Sequence, residues 1–289
     1  MRHLLAADRV RFGSRKDLWI LCALVPVALA FMFVADFNGV VAPPNSDFFM
    51  DPPDPVFEAQ MREQMLAEWR QGLVTSLPGF TFPASLTKMA SNFIPMVLLG
   101  IYLATALVAG EFEWGTVRTV HLTSSRGRTL TVRVGVVLGL VAVATAVGLL
   151  LGAIIPFLLT AEGRPLQDYA APLPDMWGTI ASRLLMIVPF IAIPVLMAVL
   201  TGSTGLAFLL TLLLIIVDAG ATGGPFWSGG TAWVPAVTLT GSISRLLNGP
   251  ESPLASIAPG WVSVAALLAW AIVPIVAAIA WFRRLDINQ

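Results

Sequence analysis

From Leu184 to Val217 the chain runs 34 residues without a charged side chain. One α-helix of that length would extend ~51 Å, whereas a bilayer hydrocarbon core of ~30 Å is crossed by ~20 helical residues. The run must therefore fold back on itself. The sequence TGSTG at 201–205 is where small and glycine residues gather, and it predicts the break. A helix from about 177 to that break, carrying Arg183 near its end, and a second from Leu206 past Asp218 follow. Residues 134–159 form another run of 26 without charge.

These runs sit in a chain that is 57% hydrophobic and 12% charged, with mean hydropathy +0.82. Soluble domains carry about 25% charged residues. The expected fold is an all-α integral membrane protein, one transmembrane domain over 1–289 with six spans. They are expected at about 18–35, 89–109, 134–159, 177–200, 206–218 and 261–282. The first follows a basic segment, as a signal peptide would, but is longer than a typical apolar core of 7–15 residues, so it is expected to be retained. Cys22, the one cysteine, lies in that run and reads as a packing residue.

A second outer loop is expected over about 160–176, and four further polar or irregular segments precede or divide the spans. Residues 1–17 place Leu4, Leu5, Val10 and Phe12 among Arg2, Arg9, Arg11, Arg15 and Lys16. They read as an amphipathic interfacial helix or, equally, as a basic flank that sets topology. Residues 36–88 hold proline-rich turns and a charged helical stretch over about 55–71, too structured for a plain connector. Residues 110–130 are short and polar. Residues 219–260 are apolar but rich in glycine and proline, which predicts a re-entrant hairpin packed on protein, with Trp227, Trp233 and Trp261 at headgroup level.

Placing the N-terminus inside puts eleven of the 17 basic residues on the cytoplasmic side: five before the first span, four over 118–133 and two in the tail. The far longer outer segments hold six, and the first outer loop is acidic. Both termini are therefore expected in the cytoplasm of a cell inner or plasma membrane.

Several chemistries are excluded by what the chain lacks. Neither Lys16 nor Lys88 stands in a G-x-x-x-x-G-K-[ST] frame, so ATP hydrolysis by this chain is not expected. His3 and His121 are far apart and outside any HExxH, which argues against a zinc peptidase, and no metal site is expected. No G-x-S-x-G occurs. A net charge of zero gives no field that would attract nucleic acid.

The richest stretch follows the second span: Glu111, Phe112, Glu113, Trp114, Gly115, Thr116 and Arg118, then Ser125, Arg126 and Arg128. By itself it reads as a charged helix cap, or as a compact knob with two aromatic anchors suited to a partner's cleft. The run LVAGEFEWGTVRTVHLTSSRGRTLTVRV resembles the signature of ABC-2 type permeases, the membrane subunits of ABC exporters. The resemblance rests on Glu111, Gly115, Thr116, Arg118, Ser125 and Arg126. Arg133 stands where the family often has lysine at the start of the third helix.

The resemblance implies a permease subunit of the type V exporter fold, paired with a second copy or a sister permease. Two separate ATPase subunits would bind ATP and Mg, with no cofactor on this chain. The 110–130 segment would couple to the ATPase through Glu111, Phe112, Glu113, Trp114, Gly115, Thr116, Arg118 and Arg126. An unknown substrate would leave by a path formed with the second permease, mostly along helices two and five in this family.

Met89 and Met96 are candidates for that path or for core packing. Asp218 is a candidate path carboxylate, or a group at headgroup depth, or a partner of Arg183 or Arg245. Two other classes of function stay open: an ion-coupled secondary transporter and a non-transporting membrane scaffold.

Overall fold

The computed structural model describes residues 16–43, 55–91, 94–113, 126–170, 176–222, 233–248 and 252–284. Among them the structure is almost wholly helical. Five helices are long and apolar enough to cross a membrane, at Leu18–Val41, Gly127–Phe157, Ile180–Thr201, Thr204–Ala221 and Gly260–Arg284. A sixth span results if the bent pair Ala84–Ser91 and Ile94–Gly110, which meet at 48°, acts as one. This is the make-up of a helical membrane protein.

In chain order the helices are α1 (Lys16–Val41), α2 (Pro55–Ser76), α3 (Ala84–Ser91), α4 (Ile94–Glu113), α5 (Arg126–Ile154), α6 (Met176–Ile187), α7 (Pro189–Thr201), α8 (Thr204–Ala221), α9 (Val234–Val237), α10 (Leu239–Asn248) and α11 (Gly260–Arg284). The interfacial segment expected at 1–17 lies outside the described residues apart from its last two, which belong to α1.

Several helix bounds differ from the sequence expectation, each for a physical reason. The first helix passes 35 and runs to Val41, because Phe37 on the extra turn is buried against Phe80. The third span was expected from 134, but α5 begins at Arg126 and carries Arg128 and Arg133 inside the helix. Arginine is a good helix former, so its charge reports depth rather than the helix end. At the other end Pro156 opens a 3-10 turn, Ile155–Phe157, in place of the α-helix expected to 159. Helix four is divided at Pro189 into α6 and α7.

The chain forms two compact units. One holds residues 26–92 and 146–180. Its core joins Phe33 and Phe37 edge-to-face with Phe80, at centroid distances of 5.4 and 5.6 Å. Lys88 Nζ lies 3.7 Å from the centre of the Phe80 ring and 3.8 Å from Asp36 Oδ2. A second cluster packs Leu86, Ala90 and Ile180 with Leu149 and Ala153. In the expected second outer loop, β1 (Thr160–Ala161) and β2 (Arg164–Pro165) pair antiparallel. Glu162 and Gly163 turn between them with φ of 51° and 75°, the left-handed values of a tight hairpin.

The other unit holds residues 1–25, 93–145 and 181–289. Its centre is α7, PFIAIPVLMAVLT, which is apolar on every side. A helix of that kind has no face for water and belongs inside. Nine of its residues, from Pro189 to Val199, are buried, and α4, α8 and α11 pack around it. Phe190 and Ile193 of α7 meet Val97 and Ile101 of α4, Leu239 and Ile243 of α10, and Leu267 of α11 in one core. Gly100 lets α4 come close: a Cβ there would lie 3.0 Å from Ile191 Cγ1.

Candidate functional site

The predicted coupling residues begin at the last turn of α4, where two side chains bind it to the rest of its unit. Glu113 reaches the N-terminus of α8. Its Oε1 accepts from the Thr204 backbone N–H at 2.6 Å and its Oε2 from the Thr204 hydroxyl at 3.0 Å. A helix N-terminus presents unpaired N–H groups and the positive end of the helix dipole, so a carboxylate is well placed there. Those two donors hold the Glu113 carboxyl below the usual glutamate range, against a smaller opposing effect of desolvation.

The local sequence makes this α8 terminus available. Gly202 takes φ +63° and donates its N–H to the Ala198 carbonyl, a left-handed C-cap that stops α7. Ser203 is extended and provides no side-chain cap to α8. Glu113, 91 residues earlier, caps it instead.

Phe112 fixes the same end of α4 to two further elements. Its side chain lies against Gly202, where an added Cβ would be 3.5 Å from Phe112 Cβ. Its ring meets Phe282 of α11 edge-to-face, centroids 5.7 Å apart and planes at 72°. The next residue of α11, Arg283, lies over Gly127 in the first turn of α5, its Nε 3.0 Å from the position of a Cβ there. The end of α4, the α7–α8 turn, the end of α11 and the start of α5 thus converge.

Of the other predicted coupling residues, Glu111 is in the last turn of α4 and Arg126 opens α5, but their side chains lie outside the described structure. Trp114, Gly115, Thr116 and Arg118 lie outside the described residues. Behind the junction, the buried Arg133 of α5 donates from Nη1 to the Leu107 carbonyl of α4 at 2.7 Å. The motif reading named Arg133 only as a departure from the family. The signal for its role is a cation at the edge of an apolar run, which must find an acceptor.

The candidate path residues are engaged within their own units. Met89 is buried against Gly152, and Met96 is buried with its sulfur 3.5 Å from the Thr145 hydroxyl. Asp218 pairs with neither arginine considered for it. Its carboxylate accepts from the backbone N–H groups of Leu239 and Thr240, at 2.9 and 2.6 Å, and from the Thr240 hydroxyl at 2.6 Å. It is the N-terminal cap of α10. Arg183 stands at the other end of α10, donating from Nη2 to the Leu247 carbonyl at 3.2 Å.

An open apolar concavity of about 660 Å³ lies along α11, walled by Leu196, Val237, Trp261, Ala265, Trp270 and Pro274. The Trp270 indole N–H donates to the Val237 carbonyl at 3.1 Å. Among the described residues no group of three or more His, Cys, Asp or Glu is placed to hold a metal ion.

Fold and junction together define a helical membrane protein with a carboxylate-capped meeting point of helix ends. No protein-family model matches the chain, and no curated protein or solved structure matches it significantly.

Proposed function

We propose that this chain is the membrane-spanning permease subunit of an ATP-driven exporter. In this reading it crosses a cell membrane six times with both termini in the cytoplasm, counting α3 and α4 as one bent span. The α9–α10 segment is a re-entrant hairpin at the outer face. A second permease completes the substrate path. Two separate ATPase subunits bind ATP and Mg and dock on the segment between α4 and α5.

The observation that carries this reading is the anchoring of the motif's flanks. A segment that passes force from an external motor must be fixed to the helices it moves. Here the N-terminal flank is tied to α8 through Glu113–Thr204 and to α11 through Phe112–Phe282, while Arg283 rests on the first turn of α5. A push on the intervening residues is thereby delivered to several helices as near-rigid bodies. Resemblance of the Glu111–Arg126 run to ABC-2 permeases supplies the identity of the motor.

The test is purification from native membranes, followed by ATPase and transport assays. A P-loop ATPase should co-purify. Glu111→Ala and Trp114→Ala should reduce its retention. Phe112→Ala and Glu113→Ala should keep the ATPase bound but lower transport per ATP. If no ATPase accompanies the wild-type chain, or if the chain alone moves cargo in sealed vesicles, the proposal is overturned.

A further inference from the structure

Three exposed aromatic residues of the unit formed by 26–92 and 146–180 come from three separate elements, and the packing beside them sets them at one depth. Leu86 and Ala90 of α3, Leu149 and Ala153 of α5 and Ile180 of α6 join in one cluster, so the three helices share a level there. The chain runs along α5 towards the 155–175 connection and returns from it along α6. On that side of the cluster α5 gives way to the turn ending at Phe157, and Trp177 precedes Ile180 by about 4.5 Å of helix rise. Phe82 stands four residues before Leu86 and reaches the same level, because its ring centre lies 5.9 Å from that of Phe157. The Phe82 backbone N–H is held there by Gln167 Oε1 at 3.2 Å.

None of these side chains is covered. Phe157 is 64% exposed, its neighbour Leu158 74%, Trp177 71% and Phe82 38%. Exposed apolar side chains continue from Phe157 back along α5. Ile154, Leu150 and Val147 follow at steps of three, four and three residues, which keeps them on one stripe. Val147 to Phe157 is about 15 Å of rise, the depth of one leaflet of a ~30 Å hydrocarbon core. Past Leu158 the chain turns polar, and Thr160 and residues 162–164 at the β1–β2 hairpin tip, with Glu162 and Arg164, are exposed. Contiguous exposed apolar surface of this kind is rare on a face turned to water. Aromatic rings gathered at one depth, between a leaflet-long apolar stripe and charged groups, are the pattern of a membrane–water boundary.

We propose that Phe82, Phe157 and Trp177 form an aromatic collar at the boundary of one leaflet, with Leu158 beside Phe157 in the upper acyl region. Lipid is the partner because the collar is continuous with the exposed stripe of α5, a helix long and apolar enough to cross the bilayer. Phe82 thereby seats in the membrane surface a part of the 36–88 segment that its polarity assigns to water. The inference needs only that α5 crosses a bilayer, so it stands apart from the exporter reading.

The experiment is spin labelling of the full chain, with whatever subunits accompany it, in vesicles of phosphatidylcholine and phosphatidylglycerol. On a Cys22→Ser background, Phe82→Cys, Leu158→Cys, Val147→Cys and Arg164→Cys each carry one nitroxide. Collisions with oxygen, which concentrates in lipid, are compared with those of a neutral nickel chelate, which stays in water. Labels at 82 and 158 should favour oxygen severalfold over the label at 164 and should read a similar depth. The label at 147 should lie about 15 Å deeper than that level. Labels at 82 and 158 that meet the nickel chelate as freely as the one at 164 would put the patch in water and overturn the proposal. Shielding from both reagents would show protein there, a second copy included, and would overturn it equally. A second measurement keeps every cysteine native: Trp177→Phe should remove emission that lipids brominated high on the acyl chain quench and that aqueous iodide does not. Loss of iodide-quenched emission instead would count against the collar.

Discussion

Asp218 and Arg183 hold opposite ends of the same ten-residue helix. The carboxylate meets the first N–H groups of α10 and the guanidinium its penultimate carbonyl. Each charge complements the helix dipole at its own end. A helix this short is marginal by itself, so its ends must be held by tertiary partners. Asp218→Ala should therefore cost about 2–4 kcal/mol, since it leaves buried N–H donors without acceptors. Asp218→Asn retains one acceptor oxygen and should cost less. Thermal unfolding of the detergent-solubilised chain measures both.

The Glu113 contact carries a pH dependence of definite sign. Thr204 donors favour the ionised carboxylate, so the folded-state pKa lies below the unfolded one. The stabilisation is complete above the ordinary glutamate pKa of about 4.3 and is lost as pH falls through the lower folded-state value. Glu113→Gln should melt below wild type at pH 7, and the gap should narrow below about pH 4. A gap that widens in acid would contradict the contact.

Two glycines should separate by how much room they have. Gly202→Ala forces a side chain into φ +63° and against Phe112, at a cost of about 1–2 kcal/mol. At Gly241 a Cβ would overlap the Pro235 carbonyl and lie 2.7 Å from Thr238 Oγ1. Backbone cannot swing aside as a side chain can, so Gly241→Ala should exceed the ~1–3 kcal/mol of ordinary overpacking. Melting curves of the two variants give the order directly.

The ring pair at the junction is open to a double-mutant cycle. Phe112→Ala and Phe282→Ala should show a coupling of about 0.5–1.5 kcal/mol in unfolding free energy. Additive single losses would mean that the rings do not act together.

The apolar helices were legible because each must match the bilayer in length, and the TGSTG break followed from the excess of 184–217 over one span. Helix ends were less legible. Asp36, Arg126 and Arg128 read as loop residues by their charge, yet all are helical, because polarity marks where water begins and not where backbone hydrogen bonding stops. The partners of Glu113 and Asp218 were not legible, since Thr204 and Thr240 are ordinary residues 91 and 22 positions away. What the sequence did mark was the need: a carboxylate in or beside an apolar run must find donors. The side chains of Glu111 and Arg126 and the residues from Trp114 to Arg118 fall outside the described structure.

The all-apolar character of α7 also bears on how the chain is assembled. One of its neighbours, α4, is made before it, but α8 and α11 come later, and α11 is the last helix described. Until α11 has been synthesised and has inserted, one flank of α7 must be covered by lipid tails, which suit its uniform surface as well as protein does. A chain stopped before Gly260 would keep that flank on lipid and lack the closing wall of its own core.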